Sequence, residues 1–203
     1  MLFATSAIGG AERSLTRMAL CRPNGPVHYT LATLGEEGDW TQWARSQGAD
    51  AIALAGSPAA PRHKVRALVD LWRQLKPDFI YVMGLRPATL VRALRPFMPR
   101  TRIVHGIRGN VEPGTPLGRD YRRVEWPQRF LTDHYITNAE VTKRSLARLI
   151  SVSPLRIDVV YNGIEAPEGP PIAWPERARE IVSVANLLPV KGHIRFSRQS
   201  SKS

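Results

Sequence analysis

A single cysteine, Cys21, stands in the 203 residues. No disulfide can form within the chain, which fits a reducing compartment and leaves stability to the core. No apolar run approaches the length of a membrane-spanning helix. The opening segment Met1-Leu2-Phe3-Ala4-Thr5-Ser6 has no basic lead and is too short for a signal peptide. The expected location is therefore the cytoplasm. A G-x-G-x-x-G fingerprint and a Walker-A sequence are both missing, which argues against dinucleotide binding and P-loop chemistry. His28 and His63 stand alone with no ligand spacing around them. There is no zinc pattern, no Ser-His-Asp order and no setting for a cysteine nucleophile.

Acidic residues are also short. Asp plus Glu number 17 against 29 Lys plus Arg, a net charge of +12. Such an excess suits nucleic acid, an anionic membrane surface or an anionic small substrate. The basic residues are mostly arginines spread over the whole chain, densest at 92–108 and 119–129. They form no low-complexity arm, so no nucleic-acid partner is expected. Hydrophobic content of 43% and charged content of 23% are ordinary for a globular protein. The length holds one domain, or one domain and a fragment.

Short apolar runs alternate with amphipathic stretches. Strands are expected at 2–5, 27–34, 51–54, 78–84, 102–107, 134–137, 157–161 and 180–185. Helices are expected from Ala11, from Gly38 to Gly48, over 62–76, from Pro87 and over 141–150. Residues 109–118 hold glycines and prolines and read as a loop. A helix over 121–131 carries Pro127, which argues for a break. Trp40, Trp43 and Trp72 fall at helical spacing and read as core. This alternation predicts an α/β fold with a Rossmann-like parallel sheet, helices on both faces and ligands at the carboxyl ends of the strands. The proline-rich stretch 166–178 reads as a linker between a domain at 1–165 and the start of another at 179–203.

Four marks carry the chemistry. Gly9-Gly10-Ala11-Glu12 joins the first strand to the first helix, where glycines admit a ligand and free N–H groups face an anion. A diphosphate fits there; a plain turn would look the same. Asn138-Ala139-Glu140 follows a later strand. Asn162-Gly163-Ile164 closes the first domain, and Pro189-Val190-Lys191-Gly192 opens the second. His105 and Arg108 end a strand at the expected ligand edge, where a histidine can bond a sugar hydroxyl and an arginine can pair with phosphate.

In this order the marks resemble the N-terminal half of family 4 glycosyltransferases, which have the two-domain GT-B fold. The resemblance covers residues 1 to about 193. It implies transfer of a hexose, with retention, from a UDP- or GDP-sugar to a glycan or lipid-linked acceptor. It implies no cofactor and no bound metal. Lys191 matches a lysine that contacts the donor diphosphate. Asn186 stands where relatives commonly carry arginine. Relatives often have a histidine near the donor sugar, which makes His105 and Arg108 the catalytic candidates. Gly9 and Gly10 join Lys191 and Asn186 on the diphosphate, while Asn110, Glu112, Asn138 and Glu140 are candidates for acceptor or donor contact. Relatives also carry two glutamates further on, beyond the last residue here, so little transfer is expected from the isolated chain.

The stretch 119–130 mixes arginines with Tyr121, Trp126 and Phe130. It suits an anionic interface, or a solvated helix face. Peripheral contact with the inner face of a membrane follows from the first of these. Two non-catalytic readings remain open: an anionic-glycan-binding module and half of a split enzyme. A basic nucleic-acid binder is a third.

Overall fold

Short apolar strands cannot bury both faces of a sheet alone, so each amphipathic stretch crosses back over it. The computed structural model describes residues 1–21, 25–55, 61–109, 111–163 and 169. By its contacts the chain divides into a unit Met1–Ile164 and a unit Glu165–Ser203. The second, Gly169 apart, lies outside the described residues, as does the strand predicted at 180–185.

In the first unit the elements run β1 (Leu2–Phe3), α1 (Gly10–Leu20), β2 (Leu31–Thr33), α2 (Asp39–Ser46), β3 (Ala51–Ala53) and α3 (Pro61–Leu75). They continue with β4 (Phe79–Met83), α4 (Leu85–Ala93), β5 (Arg102–Ile107) and α5 (Pro116–Gln128). The last are β6 (His134–Thr137), α6 (Glu140–Ile150) and β7 (Ile157–Val159). The seven strands form one sheet in the order β3-β2-β1-β4-β5-β6-β7, and every pairing is parallel. The Rossmann-like α/β fold expected from the alternation is the fold observed.

Register decides which side chains meet which helix. Leu2 pairs with both Ala32 and Val82, so these three share a face. They pack with Leu68 of α3 and with Ala88 and Val91 of α4. Further along that face, Ile107, Tyr135 and Ile157 pack with Tyr121 of α5 and Leu146 of α6. On the opposite face, Phe3 and Leu31 meet Leu15 of α1 and Trp40 and Ala44 of α2. Trp40 is fully buried, whereas Trp43 and Trp72 are partly so.

Two elements differ most from their predictions. Strand β2 is shorter than 27–34, because β1 offers a parallel partner only from Leu2. Helix α5 begins at Pro116, inside the expected loop, because Thr115 caps it: its Oγ1 accepts from the Gly118 amide at 3.0 Å. Pro127 does not break α5, since it lies on the exposed side and in the last turn, and a 3₁₀ turn at Arg129–Leu131 follows. At the end of β4, Gly84 has φ 89, a left-handed value that lets the chain turn directly into α4.

Candidate functional site

A parallel sheet delivers every strand's carboxyl end to one edge. The turn after β1 holds Gly9 and Gly10; Arg108 and Glu112 follow β5; Asn138 and Glu140 follow β6. The strand order places β4 between β1 and β5. At about 4.8 Å per strand, the carboxyl ends of β1 and β5 stand roughly 10 Å apart along the edge. Asn110, Asn186 and Lys191 lie outside the described residues.

Gly9 is the N-cap of α1 in extended conformation, and no side chain caps the helix. Gly10 is exposed, and a Cβ built there would meet nothing within 4 Å. The turn is therefore open to a ligand. Glu12 leans back over Gly9, where a Cβ would stand 2.5 Å from its Oε2. This carboxylate sits near the positive end of the helix that an incoming anion would use. Asn138 is half-buried, and Glu140 is exposed at the first position of α6. Glu112 is exposed, and its carbonyl accepts from the Thr115 amide at 3.2 Å and hydroxyl at 2.8 Å.

His105 requires a correction. On β5 the side chains alternate, so Ile103, His105 and Ile107 all face the helix layer. The His105 ring is fully buried and does not reach the ligand edge. Its Nδ1 lies 3.1 Å from Arg92 Nη2 and 3.2 Å from Glu125 Oε1. Tyr121 stacks on one side, with ring centroids 6.0 Å apart. Arg92 also donates to Glu125 Oε2 at 3.0 Å, to Glu125 Oε1, and through Nε to Thr132 Oγ1 at 2.8 Å. Burial alone would raise the Glu125 carboxyl pKa, but the hydrogen bond and charge of His105, followed by those of Arg92, hold it down at about 2. The cluster is a buried ionic lock joining α4, α5 and β5.

Arg108 takes the edge position instead. Sequence reasoning passed over its partner, Tyr81 of β4. Arg108 acts on the Tyr81 hydroxyl: burial raises the Tyr81 pKa, while the charge and hydrogen bonding of Arg108 act against that rise. Tyr81 reaches across because Gly106 has no side chain: a Cβ there would overlap the Tyr81 hydroxyl and stand 2.5 Å from Met83 Sδ. A glycine inside a predicted strand was the available signal. Tyr81 and Arg108 also border an apolar groove of about 750 Å³ that runs over the sheet to Met18, Val27 and Leu75. That groove suits apolar side chains. The polar groups a phosphate needs lie at the edge above it.

The family model for Glycosyltransferase Family 4 matches residues 8–167. No curated protein matches the sequence. Among solved structures, the apo form of the lipopolysaccharide outer core galactosyltransferase WaaB is 12% identical with a TM-score of 0.58. The match covers 83% of this chain and 47% of that one. Anabaena Alr3699/HepE, solved with UDP and glucose, is 15% identical with a TM-score of 0.63, covering 81% and 44%. UDP-GlcNAc 2-epimerase from Neisseria meningitidis, bound to UDP-GlcNAc, is 13% identical with a TM-score of 0.55, covering 79% and 46%. The chain spans less than half the length of these structures. At such identities they show the fold alone, and the fold serves transferases and epimerases alike.

Proposed function

The chain belongs to glycosyltransferase family 4, and from that membership we propose that it forms the acceptor-side wall of a two-domain, nucleotide-sugar-dependent hexosyltransferase. The observation that supports this is the gathering of Gly9, Gly10, Arg108, Asn138 and Glu140 along one edge of the parallel sheet. The donor is a UDP- or GDP-sugar, and the acceptor is a glycan or a lipid-linked glycan. The sugar moves with retention of configuration. Free amides at the start of α1 and the guanidinium of Arg108 stabilise negative charge gathering on the departing diphosphate. Lys191 and Asn186, in the segment 179–203 beyond the linker 166–178, are the donor-diphosphate candidates that the family resemblance supplies. Backbone amides and cations stabilise that charge without a bound metal.

No described helix is long and apolar enough to cross a membrane. A cytoplasmic location with peripheral contact to an anionic membrane belongs to the same proposal.

A single wall leaves the donor wet and free to rotate, and it loses most of the gain from orientation. The purified chain, given UDP-glucose or GDP-mannose with glycan acceptors, is expected to release no nucleotide above background in a coupled assay. Sustained release by the chain alone would overturn the half-site account. A glycan-binding module is the second reading, and the exposed Glu140 at the Asn138–Glu140 turn favours it. Glycan-array binding that UDP and GDP leave unchanged would support that reading.

A further inference from the structure

Large apolar side chains stand exposed at the amino edge of four consecutive strands, opposite the candidate site. Phe79 opens β4 and is 59% exposed. Each of β5, β6 and β7 follows a 3₁₀ turn, at Arg95–Phe97, Arg129–Leu131 and Pro154–Arg156. Each turn presents one such residue: Phe97 at 66%, Phe130 at 72% and Leu155 at 90% exposure. Single exposed apolar residues are normal. Four at one edge, beside the exposed Trp126 and Leu131, are a patch.

The patch is built, not frayed. Arg95 Nη1 donates to the Leu131 carbonyl at 3.1 Å and pairs with Asp133 at 2.6 Å. Arg156 donates to the Arg129 carbonyl at 3.4 Å and to the Thr132 carbonyl. These bonds tie the three turns into one body. The Arg129 guanidinium lies 4.7 Å from the Trp126 ring centroid and 4.1 Å from that of Phe130. Arg102 lies 5.8 Å from the Phe79 ring centroid. Arg100 and Arg102, before and at the start of β5, and Arg123, one turn before Trp126 on α5, are also exposed. Of the nearby acids, Asp133 pairs with Arg95 and Asp158 with His134 at 2.8 Å, while Asp78 stands exposed beside Phe79 among the more numerous arginines.

We propose that this amino edge docks on an anionic lipid bilayer. Phe79, Phe97, Phe130 and Leu155 enter the boundary between headgroups and acyl chains, and the arginines meet lipid phosphates. Exposed arginines and exposed apolar side chains share this edge, the combination that boundary favours. Arg129 already covers a face of Phe130 and of Trp126, which works against base stacking and so against single-stranded nucleic acid. The proposal deepens the peripheral-contact part of the reading above by naming the surface, and it stands whether or not the chain serves sugar transfer.

Vesicle flotation with the full 203-residue chain tests it. Binding is expected to phosphatidylcholine vesicles containing phosphatidylglycerol, and not to phosphatidylcholine alone. Joint replacement of Phe97, Phe130 and Leu155 by serine is expected to lower partitioning about tenfold or more. Leu155→Ser alone, at the most exposed of these positions, gives a smaller loss without threatening the fold. Arg123→Glu weakens binding more than Arg66→Glu, which makes the same charge change on α3. Absence of binding to the anionic vesicles would overturn the proposal. So would equal losses from the two charge variants with none from the serine variants, which would reduce the effect to diffuse charge. An unchanged response to UDP in a chain that ignores vesicles would leave the transferase reading intact and reject this one alone.

Discussion

Glu125→Gln is expected to lower the unfolding free energy by about 3–5 kcal/mol, a large share of what a domain of this kind possesses. Glutamine keeps the shape and removes the charge. Arg92 then remains a buried cation, because a guanidinium cannot shed its proton. Both side chains are wholly buried, so water cannot take the place of the lost partner. Urea unfolding should show an earlier midpoint with an unchanged slope. Replacing both partners, as Arg92→Met with Glu125→Leu, should recover most of the loss. A cost below about 1 kcal/mol for Glu125→Gln would refute the lock.

The same group sets an acid limit. Its folded pKa, about 2, lies below the ordinary value of 4.5. Its contribution is therefore present above pH 4.5 and disappears as the pH falls toward 2. The Glu125→Gln variant should show a flatter stability profile across that window than the parent chain.

Trp40→Ala is expected to cost about 3–5 kcal/mol and to loosen the glycine turn as well. The Trp40 ring is fully buried and lies 4.6 Å from the Phe3 ring, centroid to centroid. Its Nε1 donates to Thr16 Oγ1 at 3.1 Å, and that hydroxyl donates to the Glu12 carbonyl at 2.8 Å. Helix α2 thus holds the first turns of α1, and with them Gly9 and Gly10. Trp40→Phe keeps much of the packing and should lose only about 1 kcal/mol through the missing hydrogen bond. Hydrogen exchange should quicken in α1 more than in α6 for Trp40→Ala. Uniform quickening of both helices would show that Trp40 has no special hold on the turn.

The sheet was legible because its signal is periodic. Runs such as Ile103-Val104-His105 and Tyr135-Ile136-Thr137 announce strands, and the stretches between them announce crossovers. The facing of His105 was also legible from the alternation with Ile103 and Ile107. The resemblance to the family drew attention to the residue type at that place and away from its parity. The ionic lock was not legible. Arg92 lies on an amphipathic helix beside Val91, and Glu125 lies in a run of charges 33 residues later. Nothing local distinguishes either from a solvated residue. The start of α5 was hidden by Gly114 and Pro116, which read as loop formers until Thr115 is seen capping the helix. Of the candidate site, sequence order supplied the edge residues. It could not supply the approach of Tyr81 to Arg108, which depends on Gly106 of β5 having no side chain beside Tyr81.

The central claim is that the carboxyl edge of this sheet meets the phosphates of a nucleotide-sugar. Titrating UDP-glucose into the isotope-labelled chain while recording amide chemical shifts tests it most directly, since weak binding suffices. The account predicts shifts confined to the turn at Gly9–Glu12, to Arg108 and Gly109, and to Asn138–Glu140, with Phe97, Phe130 and Leu155 unmoved. Shifts centred on the opposite edge, or none at millimolar ligand, would contradict it.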